Sequence, residues 1–540
     1  MQQQPQIEKQ SKHQTLIRLS FAIIAKICLL GIQFTQTPAA LAEDVELSVG
    51  IVQRFGAEAK DLLIIESYRN SLLNISFNNP NPTTIKTNKI VLEILMQPLE
   101  VEAIDEKVIL SDRSTFETAE DSAKNWQELG IQVEVTQPGR WQVWAKRDVY
   151  NTPILRRWLL DSLKKQGYTQ PYLQTTILKE KPVVSAIVDA DTYPVRELTI
   201  QSDSDRIFVT VDNKRFLYGG SLKLQPNAYG NFTLVNLVPL ETYLRGVVPY
   251  EIGASAPQNA IEAQSIIART YALRNLRRFA VDNYQLCATV HCQVYKGLVG
   301  ATPRTDRAIA ITKGLVLTYQ NQLIDALYSS TSGGVTAPFG DTWNGDSRSY
   351  LKAKIDSTKN IWNLSQYSLE SESNFRRFIN LKAGFNETGF SLFRWNKASS
   401  IADLNDDFRK YLETIKHPLA EFETIESMAV SKRSKSGRIL NFTVTTNLGK
   451  IVLHKNEVRS AFSPPRSTLF YLDPVRDDKG ILTGYKFIGG GFGHGVGLSQ
   501  RGSYKLARLG WPAARILKFY YPGTTIETIN DSLVFWQESN

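Results

Sequence analysis

The sequence predicts an α+β protein, and three observations carry that expectation. Runs of alternating apolar and polar residues recur at 45–77, 90–95 and 183–248, the period of half-buried strands. A strong helix start near Ser255 opens about five turns of helix. Two segments differ in character from this frame: a small α/β module at 115–180 and a charged, helix-patterned insert at 357–425. With 540 residues the chain exceeds one ordinary core, and 42% hydrophobic with 21% charged residues is a globular composition.

Residues 1–42 have the pattern of a signal peptide. Basic residues come first, an apolar run follows from Ile27 to Phe34, and Ala40-Leu41-Ala42 is a small-x-small cleavage pattern. This predicts export to the periplasm or cell wall. Region 43–114 is strand-rich, with VELSVGIVQRF from Val45, DLLIIES from Asp61, LLNISF from Leu72 and IVLEIL from Ile90. Asn78 to Thr84 is a turn-rich break. In the 115–180 module, Ala119 to Leu129 and Pro153 to Gln166 look helical, and Ile131 to Thr136 and Gly139 to Ala145 look like strands. The main domain then runs over 181–356, is interrupted by the insert or lid at 357–425, and resumes over 426–540. It ends in a helix, Gln500 to Leu509, and a last strand.

The net charge is +10, and removing residues 1–42 leaves about +7. That fits contact with an anionic polymer. There is no Arg/Lys array interleaved with aromatics, so nucleic acid is not the expected partner.

Four constellations carry candidate chemistry. In Gly246-Val247-Val248-Pro249-Tyr250-Glu251, a Pro-containing turn presents Glu251 just before the long helix. A carboxyl held partly out of water at such a junction can become a proton donor. Ser255, Pro257 and Gln258 predict the helix cap, and Ala260, Ile261, Ile267, Ala268 and Tyr271 its apolar face. The helix's positive end works against a general acid, so burial has to outweigh it. Glu241 and Glu262 are the neighbouring rivals, and Arg269 is an ion-pair partner or a substrate contact. Cys287, His291 and Cys292 form the second constellation. Thiolate and imidazole suit zinc, but three ligands leave it incomplete, and a Cys287–Cys292 disulfide is the alternative. The third is Ser329-Ser330-Thr331-Ser332-Gly333-Gly334 with Asp341 and Trp343. The fourth, Gly489 to Gly502, embeds His494 among glycines before Gln500. It lacks the P-loop lysine and the dinucleotide-binding context, so no nucleotide is expected.

Taken together and in this order, the four resemble the motifs of the SpoIID/LytB family, which includes the stage II sporulation protein D lytic transglycosylases. The likeness spans about Arg196 to Ile526 without the insert. It implies a strand-rich SpoIID-like core with the long helix behind the catalytic loop. It also implies that Glu251 is the catalytic acid of a peptidoglycan lytic transglycosylase acting on peptide-stripped glycan strands, with no cofactor required. Ser329, Ser330, Thr331, Ser332 and Gly333 would line the groove, Trp343 would stack on a sugar, and His494, Gln500 and Arg269 would contact substrate. Some members bind zinc at the cysteine–histidine segment. The alternative within the family is a non-catalytic cell-wall-binding protein that stimulates an amidase; a zinc hydrolase centred on Cys287 and His291 is a third reading. Ile252 stands where the family has methionine, and Gly253 and Ala256 where it has proline and an aromatic. Within 115–180, the order WQVWAK then LRRWLLDSLKKQGY resembles SPOR domains, which bind stripped glycan; an α/β insert of unknown role is the other reading.

Overall fold

The computed structural model describes residues 45–78 and 83–535. The expected signal peptide, residues 1–42, lies outside the described residues. Among the described residues no helix is long and apolar enough to cross a membrane.

The first three alternating runs form β1 (Glu46–Phe55), β2 (Leu62–Ser67) and β3 (Leu73–Phe77). Their inward positions, such as Leu47, Val49, Leu63, Ile65 and Ile75, are buried. β4 (Thr83–Thr87) leads to β5 (Lys89–Arg113), which at 25 residues far outruns the IVLEIL segment. Next come α1 (Phe116–Glu128), β6 (Val133–Thr136), β7 (Trp141–Ala145), α2 (Pro153–Lys165) and β8 (Tyr172–Val188). The two helices start where their threonines can cap. Thr115 accepts from the Thr118 N–H, and Thr152, followed by proline, accepts from the Leu155 N–H.

The outer halves of β5 and β8 join this module. Its antiparallel strand order is β8-β5-β7-β6, a split β-α-β-β-α-β arrangement. Trp144, on β7, is not available to a ligand: Lys107 and Arg147 lie over its ring and Tyr229 packs edge-on. The middle of β5 forms a mostly exposed two-stranded ribbon with β8.

The chain continues through β9 (Asp191–Val195), β10 (Leu198–Ser202), β11 (Arg206–Val211), β12 (Lys214–Gly219), β13 (Ser221–Pro226) and β14 (Phe232–Pro239). Asp212 and Asn213, both at positive φ (49° and 59°), make the tight β11–β12 turn. After α3 (Leu240–Val248), α4 (Gln258–Arg274) and β15 (Leu286–Cys287), the main sheet is complete in the order β15-β1-β14-β13-β10-β3-β4.

α4 is buried on almost every side, the five expected apolar residues included. Two of its hydroxyls are satisfied within the helix: Ser265 and Thr270 donate to the Ile261 and Ile266 carbonyls. Ser255 does not cap it. Pro257 holds the cap position, and its carbonyl accepts from the Ala260 and Ile261 N–H groups. The α/β module docks behind the end of α4: Arg277 pairs with Glu120 and Arg278 with Glu117, while Trp141 packs on Phe279.

Segment 357–425 is helical in part, with helices Glu372–Asn380 and Ile401–Thr414. Its strand Trp395–Ser400 pairs with Leu482–Gly489, whose other edge takes Phe470–Arg476. Phe408 packs with Phe422 and Phe462 in one core with the meander Ile425–His454.

Candidate functional site

Glu251 sits on a wide π-helical turn, Pro249–Gly253, between α3 and α4. Such turns interrupt regular helix hydrogen bonding and recur at functional sites. The carboxyl is part-buried and all its hydrogen-bond partners are neutral. The Val294 N–H donates to Oε1 at 2.7 Å, and the Tyr328 hydroxyl and the Gln500 side chain complete the set. Burial raises the Glu251 pKa above the ordinary carboxylate value, and the three hydrogen bonds offset only part of that rise. The helix-end effect foreseen from the sequence does not prevail.

The donors to Glu251 are themselves held. Tyr243 donates to Gln293 (3.3 Å), Gln293 donates to the Tyr328 hydroxyl (3.1 Å), and Tyr328 in turn reaches Glu251. Tyr328–Ser329 and Leu498–Ser499 pair as short parallel strands, which brings Tyr328 beside Gln500. Gln500 opens the helix Gln500–Arg508, capped by the Ser499 hydroxyl, and its Nε2 lies 3.4 Å from Gln264 on α4.

His494 stands next to this cluster as a neutral ring. Its Nδ1 accepts from the Val496 N–H at 3.0 Å, which places the proton on Nε2, and the ring hydrogen-bonds the Tyr328 backbone. Burial, with Arg459 and Arg438 nearby, pushes its pKa down to about 3. The loop needs its glycines. Gly495 (φ 74°) and Gly497 (φ 72°) are left-handed, and a Cβ on them would lie 2.1 Å from Arg438 and 1.9 Å from the Leu327 carbonyl.

Several expected contacts fall elsewhere. Trp343 is only 5% exposed and packs against His494 (4.9 Å) and Phe339 (5.2 Å), so it braces the imidazole and has no open face for a sugar. Arg269 is wholly buried and bound to Glu241 at 2.7 Å, also donating to the Leu315 carbonyl; it is a structural ion pair. Ser329, Thr331, Ser332 and Gly333 are buried, whereas Ser330 is part-exposed. The N–H groups of Ser332, Gly333 and Gly334 turn inward to the Glu387 carboxylate, which also takes the Ser499 hydroxyl. Glu387, wholly buried and absent from the expected site, therefore ties the Ser/Gly loop to the start of the Gln500 helix. Only its position in a Phe-Asn-Glu-Thr-Gly turn hinted that it could point inward.

Cys287 and Cys292 form a disulfide with Cα atoms 5.7 Å apart, so they do not stand as two free thiolate ligands beside His291. Among the described residues no group of three or more His, Cys, Asp or Glu side chains could hold a metal. The disulfide closes the loop just ahead of Val294, and Arg278 donates to the His291 carbonyl at 2.9 Å. The docked module, the disulfide loop and the N–H that holds Glu251 are thus connected.

Residues 228–319 match the stage II sporulation protein family model, and 337–497 match a domain of unknown function. An amidase enhancer of Bacillus subtilis (strain 168) is 30% identical over 302 residues, 52% of this chain and 40% of that protein. Stage II sporulation protein D of the same organism is 27% identical, covering 54% of this chain and 75% of the relative. An uncharacterized protein of Brachyspira hyodysenteriae is also 27% identical, over 58% and 73%. The chain thus spans two fifths of the amidase enhancer's length and about three quarters of the other two. Glu251 and the helix behind it lie inside the matched segment, so the chain carries a stage II sporulation protein family domain there, and relatives from both the sporulation-protein and the amidase-enhancer branches are similar to it.

Proposed function

We propose that this protein is an exported lytic transglycosylase that cleaves the glycan strands of peptidoglycan, preferentially those stripped of stem peptides. The observation that carries the reading is a single carboxyl, Glu251, with a raised pKa and only neutral hydrogen-bond partners. A hydrolysing glycosidase uses two carboxyl groups, one of them for water or for a covalent intermediate. Glu251 has no carboxylate among its partners, and an intramolecular reaction needs none.

In that reaction protonated Glu251 gives its proton to the glycosidic oxygen as the bond to C1 breaks. The neighbouring N-acetyl group steadies the cationic centre. Glu251, now ionised, takes the proton of the muramyl 6-hydroxyl as O6 bonds to C1, closing a 1,6-anhydro ring without water. The Val294 N–H, Tyr328 and Gln500 stabilise the carboxylate in the interval between the two transfers. His494 positions the Tyr328 backbone and carries no proton in the cycle. The SPOR-like reading of the α/β module belongs to this proposal only as a second glycan contact, and it cannot run through the covered Trp144.

The likeness to an amidase enhancer favours a second reading, a non-catalytic wall-binding partner of an amidase. Purified protein incubated with peptide-stripped glycan, with products read by mass spectrometry, separates the two. Anhydro-muramyl ends support the enzyme; intact strands with stimulated amidase activity support the enhancer.

A further inference from the structure

Two arginines from the segment that matches the domain of unknown function, Arg438 against the neighbouring Gly495 and Arg459, act on the charge of His494. Arg438 is wholly buried. Its Nη2 donates to the Ser332 (2.6 Å) and Val335 (3.1 Å) carbonyls, and its guanidinium lies directly against Gly495. Its Nε and Nη1 are buried with no hydrogen-bond partner, and so is the Nε of Arg459. Arg459 is mostly buried but retains some exposure, and its Nη1 donates to Asn456 at 3.0 Å. Other buried arginines are bound to acids: Arg269 to Glu241, Arg274 to Asp325 and Arg433 to Glu372. The acid nearest Arg438 in effect is Asp341, and it takes the Ser434 and Ser436 hydroxyls instead. Buried guanidinium donors without partners are costly, and a bound anion would offset that cost.

We propose that Arg459 and Arg438 form an anion subsite beside His494 that receives the lactyl carboxylate exposed on muramic acid once its stem peptide is removed. The inference rests on the glycan-strand reading above and supplies its selectivity. A peptide-bearing muramic acid has a neutral, bulky amide at that position, whereas a stripped one has a planar carboxylate, which suits a guanidinium fork. Arg459, reachable from solvent, makes the contact; Arg438 is the fixed charge behind it.

The test uses the full chain carrying Glu251→Gln to prevent turnover. Calorimetric affinities are measured for peptide-stripped glycan fragments with free lactyl carboxylates and for the same fragments converted to N-methylamides. The free-acid form should bind at least about tenfold tighter, the worth of one charge-assisted contact. Arg459→Gln should bring the free acid down to the amide's affinity, leave the amide's affinity unchanged and leave the melting temperature near that of the parent; Arg459→Lys should restore part of the preference. Equal affinity for both forms overturns the subsite and leaves the glycan reading standing. A parallel loss for both forms in Arg459→Gln also overturns it, because the arginine is then structural. Absence of binding to either form overturns the glycan reading and the subsite with it.

Discussion

Replacing Tyr328 by Phe removes one hydroxyl from the Glu251 cluster and keeps the ring against Tyr271, 6.4 Å away. The lost hydrogen bond favoured the ionised carboxyl, so its loss raises the Glu251 pKa further. A hydrogen bond to a charged group contributes about 1.5–3 kcal/mol, and one pKa unit is about 1.4 kcal/mol, so the rise is about one to two units. A general acid must be protonated to act, so kcat/KM falls as pH climbs through its pKa. In Tyr328→Phe that falling limb should move to higher pH by about one to two units. The variant also strands the buried Gln293 amide, which donates to the Tyr328 hydroxyl at 3.1 Å, at a cost of about 1–3 kcal/mol. The assay is the release of anhydro ends from stripped glycan across pH, alongside a urea melt. A limb that stays in place or moves down, in a folded variant, would refute the reasoning.

Three further outcomes are expected. Asp356 is wholly buried among Asn386 (2.8 Å), Tyr520 (2.9 Å) and Glu387, and burial with the neighbouring Glu387 charge pushes its pKa well above the ordinary range. The native state therefore keeps a proton that the unfolded chain releases, and stability declines as pH rises above the ordinary carboxylate range, by up to about 1.4 kcal/mol per unit; Asp356→Asn should flatten that slope in urea melts. Reducing the Cys287–Cys292 disulfide, or changing both cysteines to Ser, should cost about 2 kcal/mol for so short a loop and lower turnover by loosening Val294, read by melts and rate assays with and without reductant. Arg269→Met leaves Glu241 without its buried cation and should destabilise by about 3–5 kcal/mol, while the folded fraction binds glycan fragments as the parent does.

The helix behind Glu251 and the helix that Gln500 opens are legible because each depends on a short local pattern, an apolar period or glycines before a helix, whereas the local pattern makes Glu251 only a candidate and the family resemblance singles it out. In the α/β module the expected helices, Ala119 to Leu129 and Pro153 to Gln166, correspond to Phe116–Glu128 and Pro153–Lys165, the first starting three residues earlier because Thr115 caps it. What the sequence misreads or leaves open depends on contacts between distant segments. Trp343 looks like a sugar platform until Phe339 and His494 close over it. Arg269 stands open between an ion pair and a substrate contact until α3 delivers Glu241 to it. Glu387 lies in a charged stretch where most carboxylates are solvated, and only the fold brings it under the Gly333 loop. The long β5 escapes notice because its middle is wet on both faces, which removes the alternation that marks a half-buried strand.

Digestion of peptide-stripped glycan in oxygen-18 water is the most direct test of the claim that Glu251 works alone while the sugar's own hydroxyl closes the ring. The expected products are 1,6-anhydro ends free of label, and none at all from Glu251→Gln with its fold intact. Reducing ends that carry the label, or undiminished turnover in Glu251→Gln, would contradict it.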